Sequence, residues 1–212
     1  MRISEAGSYN SGSHCPQPVT TIGEVMELKG SRTEKNLLAA FAGESQARNR
    51  YTFYAGVASK EGFEGIAGIF LETAENEKKH AHLYFQQLGG SDLEITAAYP
   101  TKIGDTATNL AAAGEHEEWS NLYPTSGKIA EKEGFSAAAH TFRKIAGVEV
   151  HHEKRYQGLL KRVQDGTLFK REKPIRWKCL VCGHIHEGTQ APAGCPVCAH
   201  PQGWFVPAEA NF

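Results

Sequence analysis

Glu77-x-x-His80 and Glu149-x-x-His152 stand seventy-two residues apart, each in a stretch whose apolar residues recur at three- and four-residue steps. That spacing predicts helix seams, and it puts a carboxylate and an imidazole on one face. Charged groups in a seam are costly to desolvate unless something neutralises them, and a pair of metal ions does so. A second constellation follows near the C-terminus: Cys179-x-x-Cys182, twelve residues, Cys195-x-x-Cys198. Four thiolates so spaced offer one ion a tetrahedral site. Together they read as a redox enzyme with a two-metal site and a one-metal electron relay.

The predicted seam of the first helix runs Leu37, Phe41, Glu44, Arg48, Tyr51, Ala55. The others place Glu77 and His80, Glu115 and Glu118, and Glu149 and His152 between apolar ends. Glu44, Glu77, Glu115, Glu118 and Glu149 would then repel one another in a medium of low dielectric. Two divalent ions supply four positive charges against those five, and two imidazoles complete the shells. One Glu from each of two helices plus Glu-x-x-His from each of the other two is the ligand pattern of di-iron and di-manganese carboxylate bundles. Oxygen-rich donors with one His per metal favour iron or manganese over structural zinc. A solitary Glu-x-x-His is ordinarily a solvated face; two pairs in register with Glu44 and Glu115 are not. Glu118 has no carboxylate counterpart in the first half of the chain, where Ala47 takes its place, yet it shares the face of Glu115.

Tyr51 and Tyr123 are candidates for phenols that hydrogen-bond a ligand carboxylate. Tyr84 and Tyr156 read equally as core aromatics. His116, Glu117 and His151 fall off the seams. His14, His82, His140, His184, His186 and His200 read as ligands to neither site.

Four helices must carry these groups. The first opens at Ser31, where Glu34 completes a Ser-x-x-Glu box, and runs to Lys60. The second runs from Glu64 to Leu88 and stops at Gly89-Gly90. Asp105 opens a third that ends near Glu133, and Ser136 caps a fourth that ends around Asp165. Short turns after the first and third make antiparallel hairpins, while a longer link joins the hairpins. An all-α four-helix bundle with one long crossover, the ferritin-like arrangement, is expected. The hairpins also look like copies: Ala42-Gly43-Glu44 recurs as Ala113-Gly114-Glu115, and Lys60-Glu61-Gly62-Phe63 as Lys132-Glu133-Gly134-Phe135. The offset grows by one between these marks, so the third helix holds an extra residue. A kink at Pro124 or a single π-turn would absorb it.

The division expected is a flexible extension over 1–26, the bundle over 27–168 and a small β-rich, metal-stabilised module over 174–212. So few residues cannot bury enough surface to fold without the metal. Trp177, Trp204 and Phe205 are its expected core. Cys15, in the Gly/Ser/Pro-rich extension, reads as a bystander thiol. With a net charge of −1 and no basic stripe, nucleic acid is not the expected partner. No apolar run approaches the ~20 residues of a membrane span. The N-terminus lacks a signal peptide's apolar stretch, so the cytoplasm is the expected location.

The stretches FAGESQARNRY, ENEKKHA, GEHEEW, EVHHEKRY and WKCLVCGHIHEGTQAPAGCPVCAHP resemble the rubrerythrin family across roughly residues 27 to 208. The resemblance implies a ferritin-like di-iron domain joined to a C-terminal rubredoxin-like domain. It implies peroxidase activity, in which hydrogen peroxide is reduced to water as two non-haem irons pass from ferrous to ferric. It assigns Glu44, Glu77, Glu115, Glu118, Glu149 and His152 as di-iron ligands. His80 matches a residue that trades places with the Glu118 equivalent between oxidation states. Cys179, Cys182, Cys195 and Cys198 would hold one iron. A head-to-tail homodimer is implied, with one subunit's rubredoxin iron feeding the other's di-iron site. The N-terminal extension departs from the family.

No G-x-G-x-x-G fingerprint is present, so a separate reductase or rubredoxin must deliver electrons. Two other functions compete. A ferroxidase would use dioxygen and ferrous iron, but an electron-carrying module is superfluous for storage. A scaffold with zinc in both sites conflicts with the carboxylate excess.

Overall fold

The structure, a computed structural model, describes residues 27–90, 92–113 and 116–208. The extension over 1–26 with Cys15, and Glu115, lie outside the described residues.

Helix α1 spans Arg32–Lys60 and α2 Glu64–Phe85. The Ser31 hydroxyl accepts the Glu34 N–H, as its box predicts, but the Glu34 carboxylate turns to the Gly30 N–H at 2.7 Å. Gly62, at φ +81°, makes the left-handed turn into α2 that a side chain would strain. Helix α2 stops short of the expected Leu88, because the Gln87 and Leu88 amides bond carbonyls three residues back, tightening the last turn.

The crossover over 92–104 has no regular structure and is largely exposed. Asn109 anchors its end, accepting the Gly104 N–H at 2.8 Å and donating to the Gly104 carbonyl at 2.9 Å. Asp105 caps α3 (Thr106–Ala112) by accepting the Thr108 N–H. The expected third helix is not one regular helix. His116 and Glu117 are helical, a π-turn spans Glu118–Leu122, and the helix continues as α4 (Tyr123–Lys132). The Tyr123 N–H donates to the Glu118 carbonyl, five residues back. The π-turn is therefore where the extra residue is absorbed, immediately before Pro124, whose ring would crowd the carbonyl four residues back in a regular helix. Helix α5 spans Ser136–Gln164. Phe135, not Ser136, occupies its cap position, with no side-chain cap bond.

Helix α1 packs along α2 and α4 along α5. One apolar cluster holds Tyr51, Tyr54, Ile66, Phe70 and Tyr156; another holds Leu37, Tyr84, Tyr123, Phe142 and Ile145. Buried carboxylates lie among these helices. The predicted seam of α1 needs one correction: Ala47 is buried where Arg48 was expected. Arg48 faces outward, 4.0 Å from Glu75, because a charged head finds water at lower cost there.

The C-terminal part is an antiparallel sheet in the order β2-β1-β3, formed by β1 (Lys170–Cys179), β2 (Ile185–Gln190) and β3 (Phe205–Pro207). Trp177 and Phe205 are buried with Cys179, Ala191 and Cys195. Trp204, expected in this core, instead meets the His200 ring edge-on at 5.4 Å. The sheet rests on the α1–α2 turn, where Phe63 stacks on Phe169 at 6.4 Å. A Cβ on Gly203 would stand 1.9 Å from the Gly62 carbonyl oxygen, so the two backbones meet directly. Among the described residues no helix is long and apolar enough to cross a membrane.

Candidate metal centres

Helix α1 and the two Glu-x-x-His helices bring four of the predicted groups together. Glu44 from α1, Glu77 and His80 from α2, and Glu149 from α5 each place a donor atom within 4.8 Å of the others. The three carboxylates are at most 1 % exposed. His80 Nδ1 lies 2.8 Å from Glu77, 3.0 Å from Glu149 and 3.9 Å from Glu44. His152 Nδ1 lies 2.8 Å from Glu149 and 3.3 Å from Glu77. Glu118 stands outside the four-residue group but within electrostatic reach of it. Tyr123 donates its phenolic proton to Glu44 at 2.5 Å, the role proposed for it. Tyr51 is fully buried, its ring packed on Phe70 and Tyr156. His116 and His151 are exposed, as their off-seam positions predict.

Like charges held this close retain protons. Burial, then Glu77, Glu118 and Glu149, push Glu44 well above the usual carboxylate range, against the pull of the Tyr123 hydrogen bond. Burial, then Glu149 and Glu77, raise Glu118 to about 8, although Arg50 and His80 oppose this. Burial disfavours a charged His80, but its bonds to Glu149 and Glu77 outweigh that and hold it up to about 9. In the metal-free protein, protons thus neutralise the cluster, and cations can replace them. Oxygen donors in excess, with two imidazoles aimed inward, suit iron or manganese. The residues fit a di-iron site of the carboxylate–histidine type.

Cys179 at the end of β1 and Cys182, Cys195 and Cys198 in the loops beyond it are free thiols that also converge. Cys179 and Cys198 sulfurs are 3.7 Å apart, and Cys182 and Cys195 sulfurs 3.6 Å. A tetrahedron with metal–sulfur bonds of about 2.3 Å has edges of about 3.7 Å. Burial raises Cys195, but the Cys198 and Val197 N–H groups outweigh it and bring the thiol down to about 6. The His200 N–H pulls Cys198 down, yet burial and the other three thiols push it up to about 12. Four thiolates therefore need a cation among them, and the site fits one.

Reasoning from the seams missed two neighbours of His152. Asn76 Nδ2 is 3.4 Å from His152 Nε2. Glu153 accepts the Trp119 indole N–H at 2.5 Å. Periodicity hides such groups because they sit one step off the ligand stripe. A carboxylate directly after a ligand was the available signal.

Residues 35–160 match the family description "Rubrerythrin", and residues 177–206 match "Rubrerythrin, rubredoxin-like domain". The chain is 56 % identical over 188 residues to rubrerythrin of Porphyromonas gingivalis, covering 87 % of this chain and 94 % of that one. It is 51 % identical over 188 residues to rubrerythrin of Nitratidesulfovibrio vulgaris, covering 87 % and 98 %. Among solved structures, fully reduced, all-ferrous nigerythrin superposes with a TM-score of 0.57 at 28 % identity, covering 94 % of this chain and 100 % of that one. In this chain the carboxylate–histidine cluster thus lies within the stretch that matches the first description, and the tetrathiolate module, of the electron-transfer type, coincides with the stretch that matches the second. The chain belongs to the rubrerythrin family of oxidoreductases.

Proposed function

We propose that the protein is a non-haem di-iron peroxidase that reduces hydrogen peroxide to water. Electrons would reach it from an external reductase or rubredoxin through iron held by Cys179, Cys182, Cys195 and Cys198. The observation that carries this reading is a tetrathiolate module on the same chain as the carboxylate–histidine cluster, since iron storage alone needs no electron carrier. The all-ferrous state named for nigerythrin supports iron over manganese in both sites. Catalysis is assigned to 27–168 and electron transfer to 174–212, with 1–26 as an extension.

Glu44, Glu77, His80, Glu115, Glu118, Glu149 and His152 would hold two irons, with Glu118 and His80 exchanging as ligands. When bound, a ferrous pair supplies both electrons of peroxide reduction at once, avoiding a one-electron cleavage that releases hydroxyl radical. Tyr123 keeps its phenol on Glu44 and so orients that carboxylate. A cavity of about 590 Å³, lined by Gly43, Gln46, Arg50, Glu118 and Tyr123, supports entry of a small polar oxidant from the Glu118 side. Two protons must also arrive for each peroxide, and the same opening would admit them with water.

The module sits on the α1–α2 turn, and Glu77 lies twelve residues along α2 from Gly65. At about 1.5 Å per residue that is about 18 Å of helix. This separation supports a head-to-tail homodimer in which the partner subunit's module approaches the cluster instead.

Anaerobic stopped-flow mixing of the reduced, iron-loaded protein with peroxide and, separately, dioxygen tests the reading. Fast oxidation by peroxide and slow oxidation by dioxygen, with the thiolate iron oxidised after the carboxylate site, is expected. Faster reaction with dioxygen, or a colourless thiolate site, would replace it with the ferroxidase reading.

A further inference from the structure

Glu153 follows His152 on α5 and is 9 % exposed. Three side chains converge on its carboxylate. Trp119 Nε1–H donates to Oε2 at 2.5 Å, Gln157 Nε2 donates to Oε1 at 2.9 Å, and His116 Nδ1 lies 3.3 Å from Oε1. The His116 and Trp119 rings meet edge-on at 4.9 Å. Trp119 lies inside the π-turn, directly after Glu118, and His116 lies just ahead of the turn.

A π-turn is one residue out of step with the helix around it and persists where outside contacts hold it. The repeat shows where those contacts were added. In the first half of the chain, α1 is regular, and the positions matching Ala47, Arg48 and Ala81 are Glu118, Trp119 and Glu153 in the second. The indole donor, the buried acceptor and the additional carboxylate thus occur together, in the half that carries the π-turn.

We propose that Glu153 is a positioning residue that locks the π-turn to α5 through Trp119 and His116. The backbone that carries Glu118 is thereby fixed, and approach to or withdrawal from the metals becomes a side-chain rotation. The inference rests on the reading of Glu118 as a ligand.

The test uses the full-length protein as Glu153→Ala, Glu153→Gln and Trp119→Phe. Amide hydrogen exchange over 116–123 and the visible spectrum and iron content of the oxidised protein are followed together. Glu153→Ala and Trp119→Phe are expected to speed exchange over 116–123 by about tenfold, the loss of one buried hydrogen bond, with α2 unchanged. Each is expected to weaken iron binding by about tenfold and to alter the spectrum. Glu153→Gln, whose amide oxygen still accepts the indole proton, should restore both. Should Glu153→Ala fail to fold, Trp119→Phe decides, since it keeps an aromatic ring at that position and deletes the donor. Exchange within twofold of the parent in Trp119→Phe, or acceleration spread over all helices, overturns the proposal. Glu118→Ala separates it from the reading beneath: unchanged iron content and spectrum there would remove Glu118 as a ligand, while exchange still reports on the clamp.

Discussion

Removing the metals should make the bundle's stability fall as pH rises, the reverse of what buried carboxylates in ion pairs do. Glu118 is held at about 8 against an ordinary 4.5, and Glu44 is raised in the same sense. Between those limits the folded chain binds more protons than the unfolded one, so each step up in pH favours unfolding. His80 acts in the same direction: its contribution is full below its ordinary 6.5 and disappears as pH passes about 9. At about 1.4 kcal/mol per pKa unit, Glu118 alone would account for about 4–5 kcal/mol, and its partial contact with water reduces that to about 2–3 kcal/mol. For a chain of this size the melting temperature should drop by about 5–10 °C between pH 5 and pH 8.5. Thermal unfolding of the chelated protein, followed by far-ultraviolet circular dichroism because the helices dominate that signal, measures it. Glu118→Gln should flatten the slope and melt above the parent at pH 8.5. Iron loading should invert the trend, because the metals displace the protons and bind more tightly as pH rises. A melting temperature that is flat or rises with pH in the metal-free protein would refute the reasoning.

Tyr123→Phe removes the hydrogen bond to Glu44 and should cost about 1–3 kcal/mol in denaturant unfolding of the metal-free protein at low pH. It should also slow peroxide turnover with electron delivery unchanged. Deleting Ser120 should convert the π-turn to regular helix and rotate Glu118 by about 100° relative to α4, which iron titration would read as loss of one metal. Cys182→Ser alters the exposed thiol of its site. It should abolish metal binding by the module and turnover with a protein donor, while single-turnover oxidation of the loaded bundle by peroxide persists. Gly203→Ala drives a methyl group into the Gly62 carbonyl. Overpacking of about 1–3 kcal/mol should loosen the module from the bundle, seen as a larger radius of gyration in small-angle scattering.

Much of the bundle was legible because its signals are local. Helical period, the Ser31 and Asp105 caps and the length of the crossover each depend on neighbours a few residues away. Glu44, Glu77, His80, Glu149 and His152 were legible for a different reason. Carboxylates repeated in register within apolar stripes have few stable arrangements besides a shared cation. The unequal offset of the repeat even located the extra residue, now placed in the π-turn between Glu118 and Leu122. The short errors were at ends and edges: the last turn of α2, the cap of α5, and Ala47 taking the place given to Arg48.

What the residues alone determined, then, is which groups share a face, how many cations they call for, and that four thiolates meet on one ion. Those follow from period, charge and spacing. Only the tertiary structure decided that Tyr123 reaches Glu44 across the bundle, and that Glu153 receives the indole of Trp119. It also decided that Glu118 stands apart while His80 turns in, and that the module seats Gly203 on Gly62. These contacts join residues far apart in the chain, where no local period constrains which partner arrives. They were settled by how closely the helices pack and by which buried polar atoms then had to be satisfied.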